Sequence, residues 1–102
     1  MILLIIRIKV PSEKRMELSQ TLASLSVSIR MAKGCKRYDF CQSMEDKNQL
    51  FLLEEWDTEG SLITHLKSEH FRVFRGAMKL LTEPYEMRFN TVFHPEWMAE
   101  IP

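Results

Sequence analysis

Glycine is scarce, with three in 102 residues, and no two of them lie close together. No glycine-rich loop is therefore present to cradle a phosphate. An excess of one charge is missing too. Fourteen Lys and Arg stand against fourteen Asp and Glu, for a formal net charge of zero, which argues against a nucleic-acid surface or an anionic-membrane surface. Long apolar runs are also absent. Met1 to Ile6 are apolar, but Arg7 and Lys9 interrupt them, no basic segment precedes them and no small-residue cleavage site follows. Neither a signal peptide nor a membrane span is expected. The only two cysteines, Cys35 and Cys41, fall on one expected strand, roughly 20 Å apart at about 3.3 Å per residue, and so cannot bridge within it. Without a disulfide framework, a reducing cytoplasm is the expected compartment.

What is present is enough for one domain. A chain of this length buries roughly two thirds of the surface that its unfolded form exposes, which leaves no material for a second core. Residues 2–10 read as a β-branched strand ended by Val10-Pro11, since proline cannot continue a ladder. Ser12 is expected to cap a helix in which Leu18, Leu22, Leu25 and Ile29 recur at helical spacing, with Gly34 ending it. Residues 35–43 read as a second strand, residues 45–48 as a polar turn and residues 49–56 as a third strand. Asp57 or Thr58 can cap a short helix carrying Leu62, Ile63 and Leu66. Ser68-Glu69 signals a fresh start before Phe71, Phe74, Met78 and Leu81, so this helical region is expected to be broken near Ser68. Pro84 closes it, and residues 85–93 alternate as a fourth strand ended by Pro95. The expected division is a domain over residues 1–95 and a C-terminal arm, with Trp97 and Ile101, over residues 96–102.

This βαββαβ order predicts the ferredoxin-like α+β class, two helices on one face of a four-stranded antiparallel sheet. Residues 2–6 and 50–53 are apolar at both parities, as expected of strands covered on both sides. Strands about 4.8 Å apart and about 20 Å long present roughly 400 Å² per face, near the upper range that monomers leave exposed. The chain has no spare element to cover the second face, so a homodimer is expected, with a second copy presenting the same surface.

Several residues are candidates for chemistry. His65 shares a helical face with Leu62 and Leu66 and should point at the sheet, either as a core histidine or as a proton carrier. Glu54 has the strand parity of Leu50, Leu52 and Trp56, which puts a carboxylate on an apolar face in need of a partner. Arg7, Arg88 or backbone amides are expected to supply it. Trp56 fits core packing or the wall of a pocket for a flat aromatic ligand, and the Phe71, Phe74 and Met78 stripe fits either role. Tyr38 and Tyr85 are polar handles for an apolar cavity. A metal is not expected: His65 and His70 stand roughly 140° apart around a helix and cannot face one ligand position.

Leu53-Glu54-Glu55-Trp56-Asp57, followed by Leu62, His65-Leu66 and His70-Phe71, resembles the antibiotic biosynthesis monooxygenase family, where a third strand ending in Glu-x-Trp leads into a helix with an inward His-Leu pair. Pro11-Ser12 after the first strand and Gly34-Cys35 before the second agree with it, and the resemblance runs from residue 2 to about residue 93. It implies a dimeric α+β barrel with a pocket between sheet and helices in each subunit. Activities of similar proteins include cofactor-free oxygenation of phenols and quinols, haem degradation and isomerisation of a phosphorylated sugar. The haem-degrading members carry an asparagine on the first strand and a ligating histidine on the second long helix. Here those places hold Ile6-Arg7 and Phe74-Arg75-Gly76, so haem is not expected, and neither is any other cofactor. Of the asparagine and tryptophan that the phenol oxygenases carry in the third strand, only Trp56 has a counterpart.

The expected function is a cofactor-independent monooxygenase of a quinol or phenol, binding a small apolar or aromatic molecule. His65 would be its catalytic residue, and Glu54, Trp56, Phe71, Phe74, Tyr38 and Arg7 would line the substrate. The cavity is expected between the third strand and the helix break. The rivals are a noncatalytic ligand-binding or sensing module, and an isomerase of a small hydroxylated metabolite.

Overall fold

The computed structural model describes residues 1–92, so the anticipated arm over residues 96–102 lies outside the described residues. Strand β1, Ile2–Lys9, is rich in large aliphatic residues and stops directly before Val10-Pro11. Ser12 does not cap a helix: Lys14 N–H bonds back to the Pro11 carbonyl at 2.9 Å, closing a 3-10 turn over Ser12–Lys14. The Ser12 hydroxyl turns instead to the adjacent Glu13 carboxylate. Helix α1, Arg15–Arg30, follows, with Leu18, Leu22, Leu25 and Ile29 as its buried stripe. It ends before Gly34, because Met31 and Ala32 already bond in a closing turn to Val27 and Ile29.

Gly34 makes the link into strand β2, Cys35–Gln42, and its φ of 86° is one that side-chain-bearing residues rarely adopt. A Cβ there would also run into the side chains of Asp57 and Ser61. A polar turn joins β2 to strand β3, Gln49–Trp56. Helix α2, Glu59–Leu66, is capped by Thr58, whose hydroxyl accepts from Ser61 N–H at 3.1 Å. Helix α3, Glu69–Ala77, has its own cap in Ser68, which accepts from Phe71 N–H at 3.3 Å. The helical region is thus broken at Ser68, where β-region backbone serves a new N-terminus. A 3-10 turn over Met78–Leu80 leads on to strand β4, Glu86–Thr91, shorter at both ends than the sequence suggested.

The four strands form one antiparallel sheet in the order β2-β3-β1-β4, the ferredoxin-like α+β arrangement. Alternation sorts β1 into two faces. Leu4, Ile6 and Ile8 are completely buried under the helices, against Leu18, Leu22, Leu50 and Leu52. Burying each such side chain is worth about 1.5–3 kcal/mol. The opposite face carries Leu3, Ile5, Phe51, Leu53 and Cys41, all half-buried, together with exposed Arg7 and Lys9. No described element covers that face. Among the described residues, no helix is long and apolar enough to cross a membrane.

Candidate active site

The helix-covered face of β3 reads Leu50, Leu52, Glu54, Trp56, and three of these four are what a core requires. Glu54 is the exception, a carboxylate with only 2% of its surface exposed. Burying a charge in an apolar layer is costly unless polar groups meet it, and here two do. Trp56, two residues along the same strand and on the same face, donates its indole N–H to Glu54 Oε1 at 3.0 Å. His65 brings Nε2 to 3.2 Å from the same oxygen. The His65 contact has ion-pair distance but lacks hydrogen-bond alignment, so Nε2 has no hydrogen-bond partner among the described residues.

The misalignment follows from how the imidazole is held. His65 sits one turn after Leu62 on the inward side of α2, and its ring lies on the Trp56 indole with centroids 4.5 Å apart and planes 23° from parallel. Phe71, from the first turn of α3, meets the imidazole edge-on at 5.7 Å. Phe74 packs on Phe71 at 5.2 Å, and Tyr85 meets Phe74 edge-on at 5.6 Å. The helix break is what lets α2 supply the imidazole while α3 supplies the rings around it. Chemically, one buried carboxylate oxygen is shared between an indole that can only donate and an imidazole that can hold or release a proton.

Tyr38 adds a third polar group to the same face. Strand register sets it directly across from Glu54, and its hydroxyl is buried with no hydrogen-bond partner among the described residues. Burial, and secondarily the negative charge of Glu54, push the Tyr38 phenol well above its ordinary range, although Arg30 opposes this. Arg30 lies over the Tyr38 ring, 5.8 Å from its centroid, and donates from Nε to the Tyr38 carbonyl at 3.0 Å. Cys35 pairs across β3 with Trp56. Burial first, then nearby Glu54, raises its thiol.

The structure therefore brings His65, Glu54, Trp56, Phe71 and Phe74 into one cluster, with Tyr38 as the cross-strand neighbour of Glu54. Arg7 is not brought there. It has the odd parity of Ile5 and lies exposed on the uncovered face, where it shares a shallow depression with Ile5, Phe51, Glu86 and Arg88. Placing Arg7 beside Glu54 overlooked that one residue of offset moves a side chain through the sheet. Arg88, the other basic partner expected for Glu54, pairs with Glu86 instead. The partner is His65, and the inward helical face of His65 together with the inward parity of Glu54 contained that signal. The expected cavity is also displaced. Trp56, His65, Phe71 and Phe74 fill the space beneath the break with rings. A cleft of about 370 Å³ opens on the other side of α2, between Leu62, Ile63 and Leu66 and the β1–β4 end at Ile2, Phe89 and Thr91. A metal centre has no support in the donor set: among the described residues, no three His, Cys, Asp or Glu side chains converge.

Comparison with known proteins agrees with this fold. The sequence profile of the family described as antibiotic biosynthesis monooxygenase matches residues 1–77. A conserved protein of Methanosarcina mazei Go1 is 31% identical, with 87% of this chain and 89% of that one covered and a TM-score of 0.83. A Nitrosomonas europaea protein with the provisional name antibiotic biosynthesis monooxygenase shares the fold at a TM-score of 0.86 and 19% identity, over 92% of this chain and all 100% of its own. Rv0793 of Mycobacterium tuberculosis does so at 0.83 and 23% identity, over 91% of this chain and 95% of its own. No curated protein matches the chain significantly. The profile match supports a general monooxygenase-like function on small molecules. The chain belongs to the antibiotic biosynthesis monooxygenase family.

Proposed function

We infer that this protein is a cofactor-independent monooxygenase of a hydroxylated aromatic compound of the quinol or phenol type, acting as a homodimer. The observation that carries the reading is the single buried oxygen of Glu54 held between the Trp56 indole and the His65 imidazole. An imidazole beside a carboxylate in an apolar layer is suited to accept the proton of a phenolic substrate and leave an electron-rich anion next to it. Dioxygen then reacts with that anion. For an anthrone-type methylene, one oxygen atom forms the new carbonyl and the other leaves as water with the two methylene hydrogens. The substrate supplies all four electrons, so the balance needs no further reductant. Trp56 and Phe71 pack against the imidazole, with Phe74 behind Phe71, and keep water away from it.

The homodimer is supported by the uncovered face of the sheet, with half-buried Leu3, Ile5, Phe51 and Leu53 side by side. Oxygen uptake with dithranol or a naphthohydroquinone tests the reaction. Uptake is expected with the native chain and at least tenfold less with His65→Ala, whose fold should persist; equal rates for the two proteins would refute the role of His65. A second reading, a noncatalytic ligand-binding or sensing module, is favoured by the ring-on-ring packing around His65. It predicts binding of the same compounds without oxygen uptake.

A further inference from the structure

A neutral imidazole has one N–H and one bare lone pair, and its surroundings decide which nitrogen carries which. Around His65 the choice is narrow. Nε2 lies 3.2 Å from Glu54 Oε1, and an ionised carboxylate only accepts hydrogen bonds. A lone pair on Nε2 would set acceptor against acceptor in an apolar layer, where Coulomb repulsion is weakly screened. A proton on Nε2 turns the same contact into an attraction. That attraction survives imperfect alignment, because it is a charge acting on a dipole. No other described group competes for the nitrogen. The Tyr38 hydroxyl, on the strand beside Glu54, makes no hydrogen bond among the described residues. His65 is also the one ion-pair partner of Glu54 among the described residues, since Arg88 is held by Glu86 and Arg7 lies on the opposite face.

We propose that Glu54 is a positioning residue for His65, fixing the neutral ring as its Nε2–H tautomer and leaving the lone pair on Nδ1. Nδ1 is then the atom that takes a proton from the substrate, and Glu54 acts through His65 without touching the substrate itself. Trp56 supports both partners. Its indole donates to the same Oε1 at 3.0 Å, and its face carries the imidazole with centroids 4.5 Å apart. One side chain thus anchors the oxygen and sets the plane of the ring, while Phe71 packs edge-on against that ring. The step is a plain proton transfer: the substrate O–H bond breaks, an Nδ1–H bond forms, and the electron pair stays on the substrate oxygen. The imidazolium so formed keeps its Nε2–H against Glu54, whose charge stabilises it. The tautomer does not depend on what the substrate is. Its catalytic consequence rests on the proton transfer proposed above.

Long-range proton–nitrogen NMR correlation spectra of the whole chain, carrying nitrogen-labelled histidine, read the tautomer directly. The His65 signals are identified by their absence in His65→Gln. Where the ring is neutral, the native protein should show Nε2 protonated and Nδ1 bare in about tenfold excess or more, the scale of one hydrogen bond to a charged group. Glu54→Gln, whose amide offers a donor as well as an acceptor, should erase most of that excess. Leu22→Ala, a lesion of the core alone, should lower the melting temperature and leave the tautomer as it is. A native ring protonated on Nδ1, an even mixture, or an imidazolium that persists through the neutral range overturns the proposal. So does a Glu54→Gln protein that keeps the native excess. Should Glu54→Gln fail to fold, the native spectrum decides. Oxygen uptake with dithranol separates this inference from the function it serves. There, kcat should fall about tenfold in Glu54→Gln with KM unchanged, as for a group that acts only in the transition state. The Nε2–H excess without any uptake keeps the role of Glu54 and removes the oxygenase, whereas equal kcat in the native and Glu54→Gln proteins removes the positioning role alone.

Discussion

The two faces of the sheet are built from the same strands and often from adjacent residues, yet they have opposite characters. On the helix side, Leu4, Ile6, Leu50, Leu52 and Trp56 are at most 1% exposed, and the polar groups of Glu54, His65 and Tyr38 are embedded among them. On the other side, Leu3, Ile5, Phe51 and Leu53 remain half-buried and mixed with Arg7 and Lys9. The lesson is that burial in this domain is set by parity along a strand. A residue's hydrophobicity alone does not tell whether it serves the fold, the site or the proposed partner.

Adjacent substitutions break that comparison most sharply. Ile6→Lys puts an unpaired ammonium in the closed face and should unfold the domain, since an uncompensated buried charge costs about 3–5 kcal/mol. Loss of the cooperative transition in circular dichroism checks it. Leu22→Ala removes a fully buried side chain from α1 and should cost about 2–5 kcal/mol in urea denaturation. Ser68→Ala deletes the hydroxyl that caps α3 and should cost about 1 kcal/mol. Ile5→Lys, on the open face, should change the stability of the isolated domain least. It should also halve the mass seen by light scattering, from about twice 12.1 kDa to that of one chain. A native chain that is already monomeric would remove the homodimer.

The smallest effect expected is a dependence on alkaline pH. The Tyr38 phenol is raised in the folded state, so the unfolded chain gives up that proton first and binds fewer protons between the two values. This contribution to stability is complete below the ordinary tyrosine value, about 10, and is lost as pH rises toward the folded value. Denaturation midpoints that fall above about pH 10 in the native chain, and fall less in Tyr38→Phe, would confirm it.

Most of the fold was legible because its signals are local. The 18-22-25-29 stripe, the Pro11 and Pro84 boundaries and the Ser68 restart each need only a few neighbouring residues to read. The site was partly legible for the same reason. Glu54 and Trp56 share a parity, and His65 shares a helical face with Leu62, so all three could be turned inward from sequence. Which inward groups meet is a tertiary fact. Glu54 pairs with His65 across the α2–β3 packing, and Arg7 lost that place by being on an odd position of β1. The position of open space was the least legible of all. The break at Ser68 predicts a change in helix direction, but the volume of the rings at Trp56, His65, Phe71 and Phe74 decides whether a void remains beneath it. The short Ser12 turn was hidden because serine at a helix start normally serves as a cap, and only the Lys14 to Pro11 bond shows otherwise.

The separate caps at Thr58 and Ser68 divide what would have been one long helix, and this bears on the timescale of events at His65. Helix α2 has eight residues, too few to hold itself together in water, where isolated helices shorter than about 12–15 residues are marginal. Its order is borrowed from the sheet through Leu62 and His65. A segment held in this way belongs among the units that open locally at a free energy below that of global unfolding. The imidazole therefore rides on a small hinged piece of backbone, while the carboxylate it faces is fixed in a central strand. Amide hydrogen exchange across 59–66, faster than across β3, would be the signature of that difference, and anything that fills the site should slow it.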